Sequence, residues 1–183
     1  MRLNLRLATL TDYSIYEKLY KASYCDMIYY RRSRKRVKEN QAASGSPWQN
    51  FVDEETLAQI AEAMRPTSEK FEAQIEAEYN RIFIILDGDT PIGIFDLSLA
   101  NRDKPTPRKG SMNRWKMHDF WLVKKYQVKD IAETLLDLLM QERFMDEIDV
   151  TIPDKENAKI FLRTGYEDIG GLFYRRKKGE QLE

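Results

Sequence analysis

The run Trp115–Phe144, WKMHDFWLVKKYQVKDIAETLLDLLMQERF, changes its hydrophobic period once, and that change limits what the chain can fold into. Its first part, with Trp115, Met117, Phe120, Trp121, Leu122 and Val123, is dense in aromatic and apolar residues, as a largely buried strand is. From Val128 onward the spacing becomes three and four. Val128, Ile131, Ala132, Leu135, Leu136 and Leu139 make one stripe of a helix, with Lys129, Asp130, Glu133 and Asp137 outside it. Between the two lies a cationic turn, Lys124-Lys125-Tyr126-Gln127. A strand that passes through a turn into a helix presents free backbone N–H groups and the positive end of the helix dipole, a setting suited to phosphate. An ordinary buried strand–helix unit with a solvated turn reads the same way, so both readings stand at this point.

A chain of 183 residues suits one domain, 1–183, with room for an insert. Lys plus Arg and Asp plus Glu number 30 each, so no net field draws the chain toward nucleic acid or a membrane. No apolar run approaches the roughly 20 residues that span a bilayer, and the opening MRLNLRLATLTDY lacks the apolar segment of a signal peptide. The single cysteine, Cys25, excludes an intrachain disulfide and points to a reducing compartment, with the cytoplasm as the expected location. With one His and one Cys, a zinc site of the usual type is not expected, and no metal is. Arg31–Arg36 places five cations in six residues, but no RNA-binding motif accompanies it, so a solvated connection is expected there instead.

In chain order, Leu3, Leu5 and Leu7 alternate with polar residues as a half-buried strand. Thr9 or Thr11 caps a helix through Ile15, Leu19 and Ala22, with Tyr13, Tyr16, Tyr20 and Tyr24 on an adjoining face that either packs or walls a cleft. Trp48 and Phe51 are expected to pin a loop, and Thr56–Met64 to form a short helix. Pro66-Thr67-Ser68 caps a further helix with Phe71, Ile75 and Tyr79 on one side. Arg81–Leu86 and Ile92–Leu99 are strands of a hairpin about Asp87-Gly88-Asp89, and Asn101–Gly110 is a polar loop. Ile148–Ile152 is a strand, Pro153-Asp154 opens a helix through Ala158, Phe161 and Leu162 that Gly165 closes, and Tyr166–Ile169 and Leu172–Arg176 are the last strands. The order predicts an α/β sandwich.

Arg6-Leu7-Ala8-Thr9 with Asp12, the hairpin Gly88–Gly93, the turn Leu122–Ala132, and Asp154–Ala158 with Phe161 and Thr164–Glu167 together resemble the GNAT superfamily of acyl-CoA-dependent N-acetyltransferases. The resemblance covers the chain apart from an enlarged helical and loop region at about 26–69. It implies a mixed, mostly antiparallel sheet of about six or seven strands flanked by helices and splayed at its central strands. It also implies acetyl-CoA as cosubstrate: backbone at Leu122 and Val123 along pantetheine, amides of Gln127, Val128, Lys129, Asp130, Ile131 and Ala132 with Lys124 at the pyrophosphate, Asn157 near the pantetheine arm and Phe161 near the thioester. The reaction implied is direct attack by a primary amine of a small molecule or protein, and exposed end strands leave room for a homodimer.

Two residues depart from the pattern. Asp130 stands at the first glycine of the phosphate loop, and Phe161 at the tyrosine that serves as acid, for which Tyr126, Tyr166 and Tyr174 are the available substitutes. For the base, Asp119 is the first candidate and His118 the neighbour with the better ordinary pKa, with Asp96 third. Alternation along a strand lets only one of Asp119 and His118 face a cleft unless a bulge intervenes. The alternative function is a binding or assembly module of the same fold that has lost catalysis.

Overall fold

The computed structural model describes residues 1–24, 66–100, 113–152 and 155–179. The strands are β1 (Leu3–Leu7), β2 (Asn80–Asp87), β3 (Thr90–Leu99), β4 (Arg114–Leu122), β5 (Glu147–Thr151), β6 (Glu167–Gly170) and β7 (Phe173–Lys177). They form one seven-stranded sheet in the order β1-β2-β3-β4-β5-β7-β6, antiparallel throughout except for the β4–β5 pair. The described helices are α1 (Tyr13–Tyr24), α2 (Ser68–Glu76), α3 (Lys129–Gln141) and α4 (Lys155–Arg163). Cys25, the basic run Arg31–Arg36, Trp48, Phe51, the helix expected at Thr56–Met64, the loop Asn101–Gly110 and the start at Pro153-Asp154 lie outside the described residues, as does most of the enlarged region.

Alternation along the strands makes two cores. On one face Phe83, Ile85, Phe95, Leu97, Trp115, Met117, Phe120 and Leu122 pack on Leu135, Leu136 and Leu139 of α3 and on Ala158 and Phe161 of α4. On the other, Ile82, Ile84, Ile94 and Trp121 pack on Tyr16, Leu19 and Tyr20 of α1 and Phe71 of α2. Tyr13, Tyr16 and Tyr20 of the tyrosine stripe are therefore packing residues. Tyr16 and Tyr20 set their rings 5.7 and 5.0 Å from Trp121. Three expected stripe members fall outside the cores. Val128 is the N-cap of α3 and more than half exposed, Leu162 turns outward, and Tyr79 lies past the end of α2.

Local chemistry fixes the helix starts. Thr67 Oγ1 accepts from the Lys70 N–H at 3.3 Å to cap α2. Ahead of α1, a 3-10 turn at Leu10–Asp12 is closed by Asp12, whose carboxylate accepts from the Thr9 N–H at 2.8 Å and the Thr9 hydroxyl at 2.9 Å. Both Asp12 oxygens also meet the Arg6 guanidinium, each at 2.8 Å, joining β1 to the helix start. Arg6 is the main cause that holds Asp12 down to about 2.

Two features of the β3–β4 ladder shape the rest. A Cβ on Gly93 would come 2.1 Å from the Trp121 carbonyl, so only glycine lets β3 and β4 approach there. The register then passes from Asp96↔Asp119 to Leu97↔Met117, leaving His118 as the extra residue of a bulge. On its other edge β4 pairs with β5 only from Arg114↔Glu147 to Met117↔Val150 and runs on to Leu122 beyond the last pair. The two parallel strands thus part as a fork at His118.

Because Asp12 is depressed, its contribution is complete above its ordinary range near 4 and is lost as pH falls toward about 2. Asp12→Ala should cost about 1–2 kcal/mol at neutral pH, the scale of a lost helix cap, and should flatten the stability profile between about pH 4 and 2 in urea titrations.

Candidate functional site

The bulge decides which side chains meet at the fork. Met117 and Phe120 both enter the α3 core, with two residues between them instead of one. His118 and Asp119 therefore share the opposite face, the side on which Trp121 packs against α1. There His118 Nε2 lies 2.7 Å from Ser98 Oγ on β3, the tautomer deciding which atom donates. Asp119 is half-buried and pairs across the ladder with Asp96. Asp96 is 6% exposed and its Oδ2 accepts from Gln74 Nε2 of α2 at 3.4 Å. Burial, then the charge of Asp119, pushes Asp96 up to about 7, against the pull of Gln74. Two carboxyl groups side by side, one of them near neutrality, can take a proton from an ammonium group at physiological pH.

Backbone direction completes the vertex. The Val123 N–H donates to the Ile92 carbonyl at 2.8 Å, toward β3. Successive residues alternate, so Leu122 and Phe120 turn their backbone groups to the forked edge, where no described strand pairs with them. Of the two residues expected along pantetheine, Val123 thus has its amide committed elsewhere. The Leu122 carbonyl accepts from Gln127 Nε2 at 3.0 Å, which makes Gln127 a brace of the turn.

The turn at Lys124–Tyr126 is a single 3-10 turn leading to α3. Ile131 and Ala132 both donate to the Val128 carbonyl at 3.1 Å, which removes them from the expected set of phosphate donors. The first-turn amides of Lys129 and Asp130 remain outside the helix ladder, and Val128 contributes no side-chain cap. Lys125 Nζ sits 4.7 Å over the Tyr126 ring, and Tyr126 donates its hydroxyl to Asp87 at 3.0 Å, tying the turn to the end of β2. Asp130 points outward in the first turn, where an acid suits the dipole. This arrangement fits the phosphate end of a cofactor. Lys124, Lys129 and Asn157 are placed by their backbone, and their side chains lie outside the described residues.

The expected acids fare differently. Phe161 is 3% exposed and packs edge to face on Tyr166 at 5.2 Å, inside the α3 core. The Tyr166 hydroxyl is walled in without a hydrogen-bond partner among the described residues, and burial raises its pKa further, so it cannot serve as the acid. Tyr126 is engaged with Asp87 and Tyr174 is buried. A groove of about 710 Å³ along Asp137, Met140 and Arg176–Gly179 lies at the opposite end of the sheet from the fork. Among the described residues no acidic, His or Cys cluster is arranged for a metal, and no helix is long and apolar enough to cross a membrane.

Asp96 is raised by the fold, so its protonated form is favoured and stability falls as pH climbs from about 4 through 7. Asp96→Asn should therefore stabilise the protein by roughly 1–3 kcal/mol at pH 8 and by little near pH 4, read from urea midpoints. Tyr166→Phe, which removes an unsatisfied buried hydroxyl, should raise the unfolding midpoint.

No protein-family model and no curated protein sequence matches the chain. Solved structures do, over nearly its whole length. The PaiA N-acetyltransferase of Thermoplasma acidophilum with coenzyme A superposes with TM-score 0.58 at 15% identity, covering 97% of this chain and 99% of that one. The aminoglycoside acetyltransferase AAC(6')-Ib with coenzyme A and kanamycin gives 0.55 at 14%, covering 96% and 95%. The spermidine/spermine N-acetyltransferase SpeG of Vibrio cholerae gives 0.56 at 13%, covering 97% and 94%. At such identities the likeness establishes architecture: the chain shares the fold of these acetyltransferases.

Proposed function

We propose that the protein is an acetyl-CoA-dependent N-acetyltransferase that modifies a primary amine. One observation carries the reading. The β4–β5 fork opens beside two apposed carboxyl groups, Asp119 and the buried Asp96. Acetyl-CoA would bring the activated acetyl thioester. Asp119 takes the proton of the incoming amine directly or through a water, with Asp96 opposite it on the ladder. His118, oriented by Ser98, stands next to that path as a second proton acceptor. In this reading the Phe120 N–H at the forked edge polarises the thioester carbonyl, and pantetheine runs along the Leu122 backbone with Asn157 near the arm. The Lys129 and Asp130 amides, with Lys124, Lys125 and Lys129, hold the phosphates.

Tyr126 is engaged with Asp87 and Tyr166 and Tyr174 are buried, so the thiolate is taken to leave unaided or to take its proton from water. Neighbours that act on kanamycin-type and polyamine substrates support a small-molecule acceptor.

Thermal unfolding with acetyl-CoA tests the reading. At a hundredfold excess over its dissociation constant a ligand adds about 2.7 kcal/mol, roughly 2–4 °C at this chain length. Lys124→Ala with Lys125→Ala should shrink the shift. Asp119→Asn should keep it and lower amine-dependent thiol release by about 10²–10⁴-fold. Absence of any shift at millimolar acetyl-CoA would favour the non-catalytic module.

A further inference from the structure

The face of the sheet that carries Asp119 continues past the fork onto β5 and β7, where side chains of alternating strand positions meet in rows. Its cations are nearly all neutralised. Arg114 Nε lies 2.8 Å from Glu147, and Lys177 Nζ 3.8 Å from the same carboxylate. Arg175 takes both oxygens of Asp149, at 2.6 and 2.9 Å. Lys116 is the exception. It is exposed on the central strand, opposite Ser98 on β3 and Asp149 on β5, and no ion-pair partner faces it among the described residues. The acid nearest in register is already saturated by Arg175. Both acids at the fork stand one rung further along, beyond the bulge at His118.

We propose that Lys116 selects the acceptor, favouring a primary amine that carries an anionic group and disfavouring polycations. This rests on the transferase reading and narrows its substrate. An amine whose nitrogen meets Asp119 has its other end directed either outward or along β4. From residue 119 back to 116 the strand covers about 7–10 Å, the span of a chain of a few methylenes. In that direction a carboxylate or phosphonate meets an unneutralised ammonium, and a second ammonium is repelled by it. The polyamine and aminoglycoside specificity of structural neighbours is thus not the specificity expected of this chain.

The test is amine-dependent thiol release from acetyl-CoA with four acceptors of similar length: γ-aminobutyrate, aminopropylphosphonate, butylamine and putrescine. In the wild type kcat/KM for an anionic acceptor should exceed that for butylamine by about threefold and that for putrescine by about tenfold, the scale of exposed charge pairs. The better of the two anions identifies the group recognised. Lys116→Gln should erase the preference and Lys116→Glu reverse it, while the acetyl-CoA thermal shift stays unchanged in both. Added salt should compress the wild-type ratio. Thiol release with the same order of acceptors in all three proteins would overturn the role of Lys116 alone. No release from any amine would overturn the transferase reading and this inference with it.

Discussion

The close approach of β3 and β4 at Gly93 is the constraint on which the site depends. With no side chain at Gly93, the Trp121 carbonyl can lie where a Cβ would otherwise be, and β4 stays on β3 to its last residue. The loyalty is one-sided. Bound to β3 as far as Leu122, β4 cannot also follow β5, which ends its pairing at Val150. The bulge at His118 increases local twist where the two strands separate. A gap along one edge of β4, where no described strand pairs with it, follows from those two local facts.

The same bulge sets the electrostatics. Without the extra residue, Asp119 would follow Met117 into the α3 core, where a carboxylate would have no partner. The shift delivers it to the face of Asp96 and Gln74, and puts His118 beside Ser98. Asp96 is then close to a like charge and shielded from water, the two conditions that raise a carboxyl pKa. Helix α2 contributes the Gln74 hydrogen bond that moderates this, so α2 tunes the Asp96 carboxyl as well as packing on the sheet.

Much of this was legible in the sequence because it is periodic. Alternation in Leu3–Leu7 and the dense apolar runs at Ile82–Ile85 and Phe120–Val123 mark strands, and the observed ends fall within two residues of those expected. What the residues could not show is whatever depends on a neighbour. A bulge leaves no mark in composition, so the sequence let only one of His118 and Asp119 share a face with Asp96 unless a bulge intervened, and the fold has that bulge. Val128 has the spacing of a stripe member, yet as N-cap it lies before the first helical turn and is exposed. Ile131 and Ala132 fall in the motif turn, but their amides are already spent on Val128. The burial of Asp96 needs Gln74, which is 22 positions away.

Asp96 also bears on whether the fold is an enzyme or only a scaffold. Nothing in the packing needs an acid there. The residues flanking it on β3 are Phe95 and Leu97, both fully buried, and the face around it is built from Ile94, Trp121 and Tyr16. An apolar side chain or an amide at this position would avoid the desolvation and the repulsion from Asp119. A scaffold that only had to keep its shape has no use for that cost, whereas the reaction proposed above has a use for a second carboxyl group opposite Asp119. Locally destabilising chemistry at the vertex of an otherwise well-packed sheet is the pattern by which the proposed transferase differs from a scaffold, and under that proposal the trade between stability and activity falls on this residue.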